Sequence, residues 1–540
     1  MLFRRLRQSL LFLLTLAFMM PVLAIFASWL PWGDSGAAAQ ILGEMSRTVL
    51  PDYAGTTVLL SVLVGLGVVL VGLPAAAAVT LFDFPGRRVF EWALLLPLAM
   101  PAYVVAFAYT DFLQFSGPLQ TFVRSTLGLE GRVFPEIRNL SGAAWVFTFA
   151  LYPYVYLLAR TALGERASHL MEAARLLGAP MRRRIAEVAL PLARPAVAAG
   201  AALALMETLA DYGVSSYFGI QTFTAGIYKA WLAMDNHIAA AQLATLLLLL
   251  VALLMYLERR AQKRMRFSVT KGARAGTLDA QPVALHGRAR WLAWLLCGVP
   301  VLFGFVLPVL FMLRPLIADW QVLSWSQFLG WSFNSLRLGA LTAVLAVGLA
   351  LVIAFNLRRR PDLPTRLAAQ LVSLGYAVPG AVIVVGLLLP VGWVQTVAPQ
   401  SSVGYVLTAT SLGLIWAYLV RFCAVALQSV QSGYARIPVS FDDSARMLGT
   451  GDVALLRRVH WPLLTRSTAA AALLVFVDVM KELPATLVLR PFNSDTLAVM
   501  AYQMARDERL GEAALPSLAL VLVGLLPVML LSRALRAPSR

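Results

Sequence analysis

Charge is scarce in this chain: 13% of its 540 residues are Asp, Glu, Lys or Arg, against 60% hydrophobic. Cysteine and histidine are scarcer still. Cys297 and Cys423 both fall inside apolar runs, which argues against a disulfide framework or a thiolate metal site. His169, His237, His286 and His460 stand far apart and make no ligand spacing, so no stable metal site is expected. No G-x-x-x-x-G-K followed by Ser or Thr occurs, so the chain has no Walker A loop to cradle ATP phosphates. A nucleophile with its base is missing too. The expectation is a non-enzymatic chain that binds no cofactor of its own.

What is abundant is apolar length. With a mean hydropathy of +0.76, runs of about 20 residues, enough to cross a ~30 Å hydrocarbon core, recur throughout. Twelve are read, near 9–30, 56–80, 92–112, 142–159, 191–212, 238–257, 291–313, 333–356, 368–392, 403–427, 465–485 and 513–532. Continuous apolar runs in lipid must be helices, because each backbone polar group has to be satisfied within its own segment. The expected fold is therefore all-α and polytopic. The opening basic-then-apolar stretch resembles a signal peptide, but its apolar part is longer than a signal core, so a retained first helix is expected. The net charge of +18 reports topology. Threaded with the N-terminus inside, the spans put most Lys and Arg on the inner side, in clusters such as Arg4/Arg5/Arg7, Arg182/Arg183/Arg184 and Arg358/Arg359/Arg360. Both termini are then cytoplasmic. Nucleic-acid binding would need a basic face on a soluble module, and none is present.

Internal repetition organises these spans. MEAARLLGAPMRRRIAEVALP, Met171 to Pro191, has an echo 271 residues on, DDSARMLGTGDVALLRRVHWP, Asp442 to Pro462. In both, an acid (Glu172, Asp443) precedes a glycine (Gly178, Gly449) by six residues, and a proline (Pro191, Pro462) follows it by thirteen. Upstream, LAMPAYVVAFAY matches YAVPGAVIVVGL, with Pro101 over Pro379 at an offset of 278. Six spans per half is an even number, so the halves enter from the same side as a parallel repeat. The organisation read is a first repeat at 1–258, a basic cytoplasmic linker at 259–290 and a second repeat at 291–540. Polar islands lie near 160–191 and 431–462. Pro101 and Pro379 are expected to kink their spans. From Glu165 to Leu177, apolar residues (Leu170, Ala173, Ala174, Leu177) recur at helical spacing, which predicts a short amphipathic helix ended by Gly178 in a left-handed conformation. Pro191 suits the first turn of the next span. Each island is read as a surface helix tethered to spans at both ends, able to pass a push from a soluble protein into the bundle.

The E-A-A, three residues, G, then L-P pattern resembles the coupling loop of permease subunits of bacterial ABC-type importers. Glu172, Ala173, Ala174, Gly178, Leu190 and Pro191 match it residue by residue; Asp443, Ser444, Ala445, Gly449 and Pro462 match with substitutions, Trp461 standing where leucine is usual. The resemblance implies docking onto a cytoplasmic ATPase, two copies of it, with ATP and magnesium acting on that partner, and delivery by a periplasmic binding protein to a permease in the bacterial inner membrane. Leu209 to Ala244 and Met480 to Val499 resemble the fused, two-repeat iron(III) branch; thiamine and polyamine permeases share the architecture.

Four acids lie in the fifth and eleventh spans: Glu207 and Asp211, and at the repeat offset Asp478 and Glu482. Hard Fe3+ prefers oxygen ligands, so they are candidates for the translocation path; pairing with Lys481, Arg337 or Arg421 is the structural alternative. The aromatic outer segment Tyr212–Trp231, with Tyr217, Phe218, Phe223 and Tyr228, reads as an interfacial belt or a docking surface, with Pro491–Arg509 as its counterpart. An ion-coupled secondary transporter is the alternative of another class. It would carry a coupled-ion site and would not need twin surface helices. A channel is disfavoured, since nothing resembles a selectivity filter.

Overall fold

The computed structural model describes residues 2–29, 35–164, 168–266, 282–322 and 324–536. Glu165, Arg166, most of the linker and the last tail residues lie outside the described residues. In the first half the helices that matter are α1 (Leu2–Ala27), α2 (Leu50–Leu81), α3 (Arg87–Ala93), α4 (Ala102–Leu113), α5 (Leu140–Ala162), α6 (Ser168–Leu176), α7 (Leu190–Ala210), α8 (Gly213–Tyr217) and α9 (His237–Arg266). In the second they are α10 (Arg288–Val301), α11 (Leu307–Ala318), α12 (Trp325–Arg359), α13 (Leu363–Leu374), α14 (Gly380–Val397), α15 (Ser411–Tyr434), α16 (Val439–Met447), α17 (Trp461–Lys481), α18 (Pro484–Leu489) and α19 (Leu510–Arg536). Sheet among the described residues is confined to Phe82–Asp83, paired in parallel with Val283–Ala284 at the end of the linker.

Among the described residues, ten helices are long and apolar enough to cross a membrane, and a bent pair makes an eleventh. The shorter apolar stretch Leu13–Ala27 occupies the position of the first expected span. The bent pair corrects the proline reading. Pro101 does not kink a continuous helix; it ends one and starts another, with a 90° bend between Arg87–Ala99 and Ala102–Leu127. Both prolines are N-caps preceded by a 3-10 turn: Leu96–Ala99 before Pro101, Gly375–Ala377 before Pro379. Their ψ angles of 141° and 144° take the chain out of the helical region altogether. The expected span at 368–392 accordingly divides into α13 and α14.

The repeat is visible in the caps. Asn139 accepts a hydrogen bond from Gly142 N–H at the start of α5, and Thr410 one from Leu412 N–H at the start of α15. The seven-residue change of offset falls just before these caps, in the segments that hold helices Pro118–Leu127 and Val403–Ala409.

The chain packs as two compact units, and neither is a sequence half. One comprises residues 1–48, 226–248 and 324–500; the other, 49–225, 249–323 and 501–540. In the first unit α12, α15 and α17 pack on one another while α1 lies against α13 and α14. In the second, α2, α5 and α7 form the core, α10 lies on α2, α11 on α4, and α19 on α11 and the Leu96–Ala99 turn. The opening span of each half thus joins the core built by the other. Close approach in the second unit depends on glycine: a Cβ on Gly72 would come within 2.8 Å of the Tyr152 carbonyl oxygen, and one on Gly200 within 2.6 Å of the Val155 Cα.

Both exchanged spans carry a proline, and the same device anchors each. Pro21 has no N–H to offer, so the carbonyl of Ala17, four residues back, loses its helical partner. The Trp416 indole N–H donates to it at 3.1 Å. In α10–α11 the turn Leu302–Val306 is π-helical, so the carbonyl of Phe303 would look to residue 308, which is proline. The Tyr109 hydroxyl donates to Phe303 O at 2.7 Å. Trp416→Phe and Tyr109→Phe each leave a carbonyl unsatisfied in an apolar setting. Each is expected to cost about 0.5–2 kcal/mol, read as a lower unfolding midpoint of purified protein in detergent, whereas Phe at a lipid-facing tryptophan such as Trp291, 74% exposed, leaves it unchanged.

Candidate functional site

The two polar islands have matching backbones. α6 ends at Leu176 and α16 at Met447, and the glycines that follow are left-handed, Gly178 at φ +78° and Gly449 at φ +76°. Gly178 N–H donates to Arg175 O and Ala179 N–H to Ala174 O, at 2.9 and 3.0 Å; Gly449 to Arg446 O and Thr450 to Ala445 O repeat these distances. This is a Schellman ending, which a residue with a Cβ would strain. A second short turn follows, Met181–Arg184 or Asp452–Leu455, and then a π turn, Ile185–Ala189 or Leu456–His460. Widening to a π turn relieves the clash that Pro191 and Pro462 would otherwise make with the preceding turn. The helix therefore runs unbroken from each island into its span, Met181–Ala210 and Asp452–Lys481.

The expected apolar face is not turned inward. Met171 and Ala445 are buried, but Leu177 is 87% exposed and Leu448 85%, with Leu176 and Met447 beside them exposed to a similar degree. Ala173 and Ser444 are exposed, and Ala174 half-buried. Each helix thus presents a proud apolar pair at its C-terminal end. Glu172 pairs with Arg175 at 3.5 Å and Asp443 with Arg446 at 3.7 Å. Exposed i,i+3 pairs of this kind stabilise little, and both acids stay at the surface. Leu190 and Pro191 are half-buried, and Trp461 exposed.

Beneath α16 lies a cluster that sequence reading missed. Arg358, at the end of α12, donates through Nε to Asp442 Oδ2 at 2.7 Å and through Nη2 to Oδ1 at 3.1 Å. Its remaining donors reach the carbonyls of Tyr434, Ile437 and Pro438 at 3.0–3.1 Å. His460 Nε2–H donates to Asp442 Oδ1 at 2.9 Å, leaving Nδ1 to accept from the Tyr434 hydroxyl at 3.2 Å. Asp442 is 2% exposed and His460 fully buried. Arg359 pairs with Asp452 on the following turn. Arg358 and Arg359 had read as topological charge. The clue in sequence was an extra acid, Asp442 beside Asp443, where the first copy has Met171.

The intramembrane acids divide by role. Glu482, buried, ends α17 and caps α18, accepting from Ala485 N–H at 2.8 Å and Thr486 N–H at 3.0 Å, with the Arg421 guanidinium 3.5 Å away. Asp211 ends α7 and accepts from Val214 N–H at 2.8 Å at the start of α8. Both are therefore engaged in holding a chain reversal. Glu207 and Asp478 are half-buried one turn earlier; the first pair belongs to one compact unit and the second to the other. The aromatic segment differs from expectation: Tyr217, Phe218, Phe223 and Tyr228 are all buried, so they form core and not an interfacial surface. Tyr217 meets Phe107 edge-on at 4.7 Å, and Tyr228 donates to Pro484 O at 2.6 Å. In the counterpart segment Phe492 is 93% exposed.

Comparison with known proteins gives the scaffold its place. A family model described as the binding-protein-dependent transport system inner membrane component matches residues 68–267, which include the whole first island. The first half of the chain is similar to this permease family. The match ends within the linker, so the second island is related to it by the internal repeat and its backbone. Relatives cover both halves of this permease. It is 26% identical over 498 residues to the Fe(3+)-transport system permease protein FbpB 2 of Haemophilus influenzae, covering 90% of each chain. It is 25% identical to a probable ABC transporter permease protein, y4fN, of Sinorhizobium fredii, covering 89% of this chain and 87% of that one. To the ferric transport system permease protein FbpB of Actinobacillus pleuropneumoniae it is 22% identical, covering 90% and 71%. The permease is a multi-pass inner-membrane protein of the fused two-repeat kind.

Acid should find the second island before the first. Burial pushes the Asp442 carboxyl up, but the hydrogen bonds from Arg358 and His460 and the charge of Arg358 outweigh it and hold the group below the usual carboxylate range. A depressed carboxylate contributes stability that is present above its unfolded value, near 3.9, and lost as pH falls through the folded one. Thermal unfolding midpoints of the permease should hold above about pH 5 and drop below about pH 4. Asp442→Ala should cost about 3–5 kcal/mol at neutral pH and remove this component of the acid loss.

Proposed function

We propose that this chain is the transmembrane component of an ATP-binding-cassette importer that carries ferric iron into the cytoplasm, powered by a separate ATPase. The observation that carries this reading is the pair of backbone-matched islands, each with a proud apolar pair at the end of its surface helix and, after a glycine turn, a second helix that runs unbroken into a span. A surface helix joined rigidly to a span is a lever. α7 is about 30 Å long at 1.5 Å per residue, so displacement of its island end reaches Asp211 and α8 at the far end. Two such levers suit two copies of an ATPase, one on each island, with ATP and magnesium bound on those partners. The chain itself, lacking a phosphate-binding loop, acts as a conduit and not as an enzyme, and binds no cofactor.

The basic asymmetry of the loops supports cytoplasmic termini and islands, and the region of Asp211 and Glu482 then faces the periplasm, where a loaded binding protein docks. Closure of the ATPase pair moves both levers at once and favours the state open to the outside; hydrolysis restores the inward state. Each ligand drives this cycle only through its different affinity for the two states. Iron as cargo is supported by the names of the relatives that span both halves. Glu207 in one unit and Asp478 in the other are each assigned to contact a passing Fe3+ through a hard carboxylate oxygen.

Two experiments test this reading. Leu177→Asp together with Leu448→Asp should abolish co-purification with the ATPase encoded alongside, and with it ATP-dependent uptake of radioactive ferric iron, without lowering the amount of folded permease. Uptake by the purified chain in liposomes with no ATPase present would sink the importer reading. Alanine at both Glu207 and Asp478 should lower iron uptake per folded molecule while ATPase docking persists; unchanged uptake removes the ion-contact role.

A further inference from the structure

The two islands match in backbone and differ at their roots. In the second, the guanidinium of Arg358 holds Asp442 by two hydrogen bonds and three carbonyls by one each, while His460 and Tyr434 complete the ring. The Arg359–Asp452 pair adds a second tie. Four segments are thereby joined: the end of α12, the end of α15, α16 itself and the turn entering α17. At the repeat offsets, the first half has Thr80 and Leu81 for the arginines, Met171 and Met181 for the acids, Leu163 for the tyrosine and Ala189 for the histidine. The half-buried Arg87 and Arg160 serve elsewhere. Arg87 lies 3.5 Å and Arg160 3.3 Å from Glu91, and Arg87 donates to Val79 O at 2.7 Å. These contacts tie α2, α3 and α5 together, and among the described residues neither arginine is paired with α6.

We infer that Asp442, with Arg358 and His460, is a clamp that stiffens the second docking helix alone, so that a symmetric pair of ATPases meets one rigid seat and one compliant one. Charge-assisted hydrogen bonds are directional, and a buried set escapes screening by salt. Tilting α16 away from α12 would strand a buried carboxylate and is therefore resisted. Among the described residues, tilting α6 slides Met171, a flexible side chain that repacks at little cost. Motion at the second seat is consequently handed as one piece to α12, α15 and α17, while the first seat passes it on chiefly along α7. Asp442 and Arg358 are positioning residues: they act on the partner through α16. The inference rests on reading the islands as ATPase seats.

The test begins on the whole purified permease without partner. Native Cys297 and Cys423 are fully buried, so spin labels can be placed on cysteines introduced at exposed positions. The pair Leu448 and Arg360 reports α16 against the end of α12; Leu177 and Asp83 report α6 against the end of α2. The distance distribution for the second island should be narrower than for the first, and Asp442→Asn should broaden it to the first island's width. In liposomes with the ATPase and a loaded binding protein, Asp442→Asn should lower iron delivered per ATP hydrolysed by roughly 2–30-fold at unchanged hydrolysis. Arg358→Lys, keeping charge but losing the fork, should fall between. Equal widths in the wild type, or Asp442→Asn leaving both width and ratio unaltered, overturns the clamp. If Asp442→Asn does not fold, Asp452→Asn at the exposed rim is read in the same way. A wild-type chain that binds no ATPase sinks the importer reading while leaving the distance widths to judge the clamp.

Discussion

Lipid offers no hydrogen bonds, and that single constraint accounts for more of this structure than any one contact does. The chain carries 29 prolines and 37 glycines, residues that interrupt helices, yet it is built almost wholly from helix. Each interruption is answered locally. Pro21 and Pro308 leave carbonyls that Trp416 and Tyr109 serve. The reversals after α7 and α17 leave N–H groups that Asp211 and Glu482 accept from. The helices that begin after outer segments are capped by Asn139 and Thr410. Side chains that look like interfacial aromatics or membrane-embedded charge in sequence are, in many cases, the partners of displaced backbone.

That bookkeeping also explains how a push can travel. A π turn before Pro191 and before Pro462 keeps island and span on one continuous helix, where a plain proline break would have made a hinge. Left-handed Gly178 and Gly449 turn the chain sharply enough to leave the preceding apolar pair proud of the surface. The surface helix and the helix that enters the span are therefore made from the same short stretch of sequence. Its asymmetry arises underneath, where one copy is rooted in methionine and the other in a ring of charge. Duplicated scaffolds commonly diverge where a neighbour changes, and here the change spans Arg358, Asp442 and His460, on three separate elements.

Much was legible in advance because membrane helices announce themselves by length and composition, and because a repeat tests its own reading. The helix ending at Gly178 and the twin at Gly449 both follow from local pattern. What was misread shares one cause. The buried state of Tyr217 and Tyr228, the capping by Asp211 and Glu482, and the helix restart at Pro101 depend on what lies across the bundle, and a linear pattern does not encode that. Leu177 falls at a helical spacing that suggests burial, but α6 is too short and too far from the core to bury both of its sides.

The sequence by itself determined the class of the protein, its all-helical membrane scaffold, the doubling of that scaffold and the two polar islands that interrupt it. Hydropathy, basic asymmetry and residue spacing are local properties, and each leaves a direct mark on composition. Only the tertiary structure decided which spans pack together, exchanging α1 and α10–α11 between the two cores, and which of two similar islands is clamped. Those outcomes turn on distances between residues more than 70 positions apart, such as Arg358 and Asp442, and such distances exist only once the helices have packed.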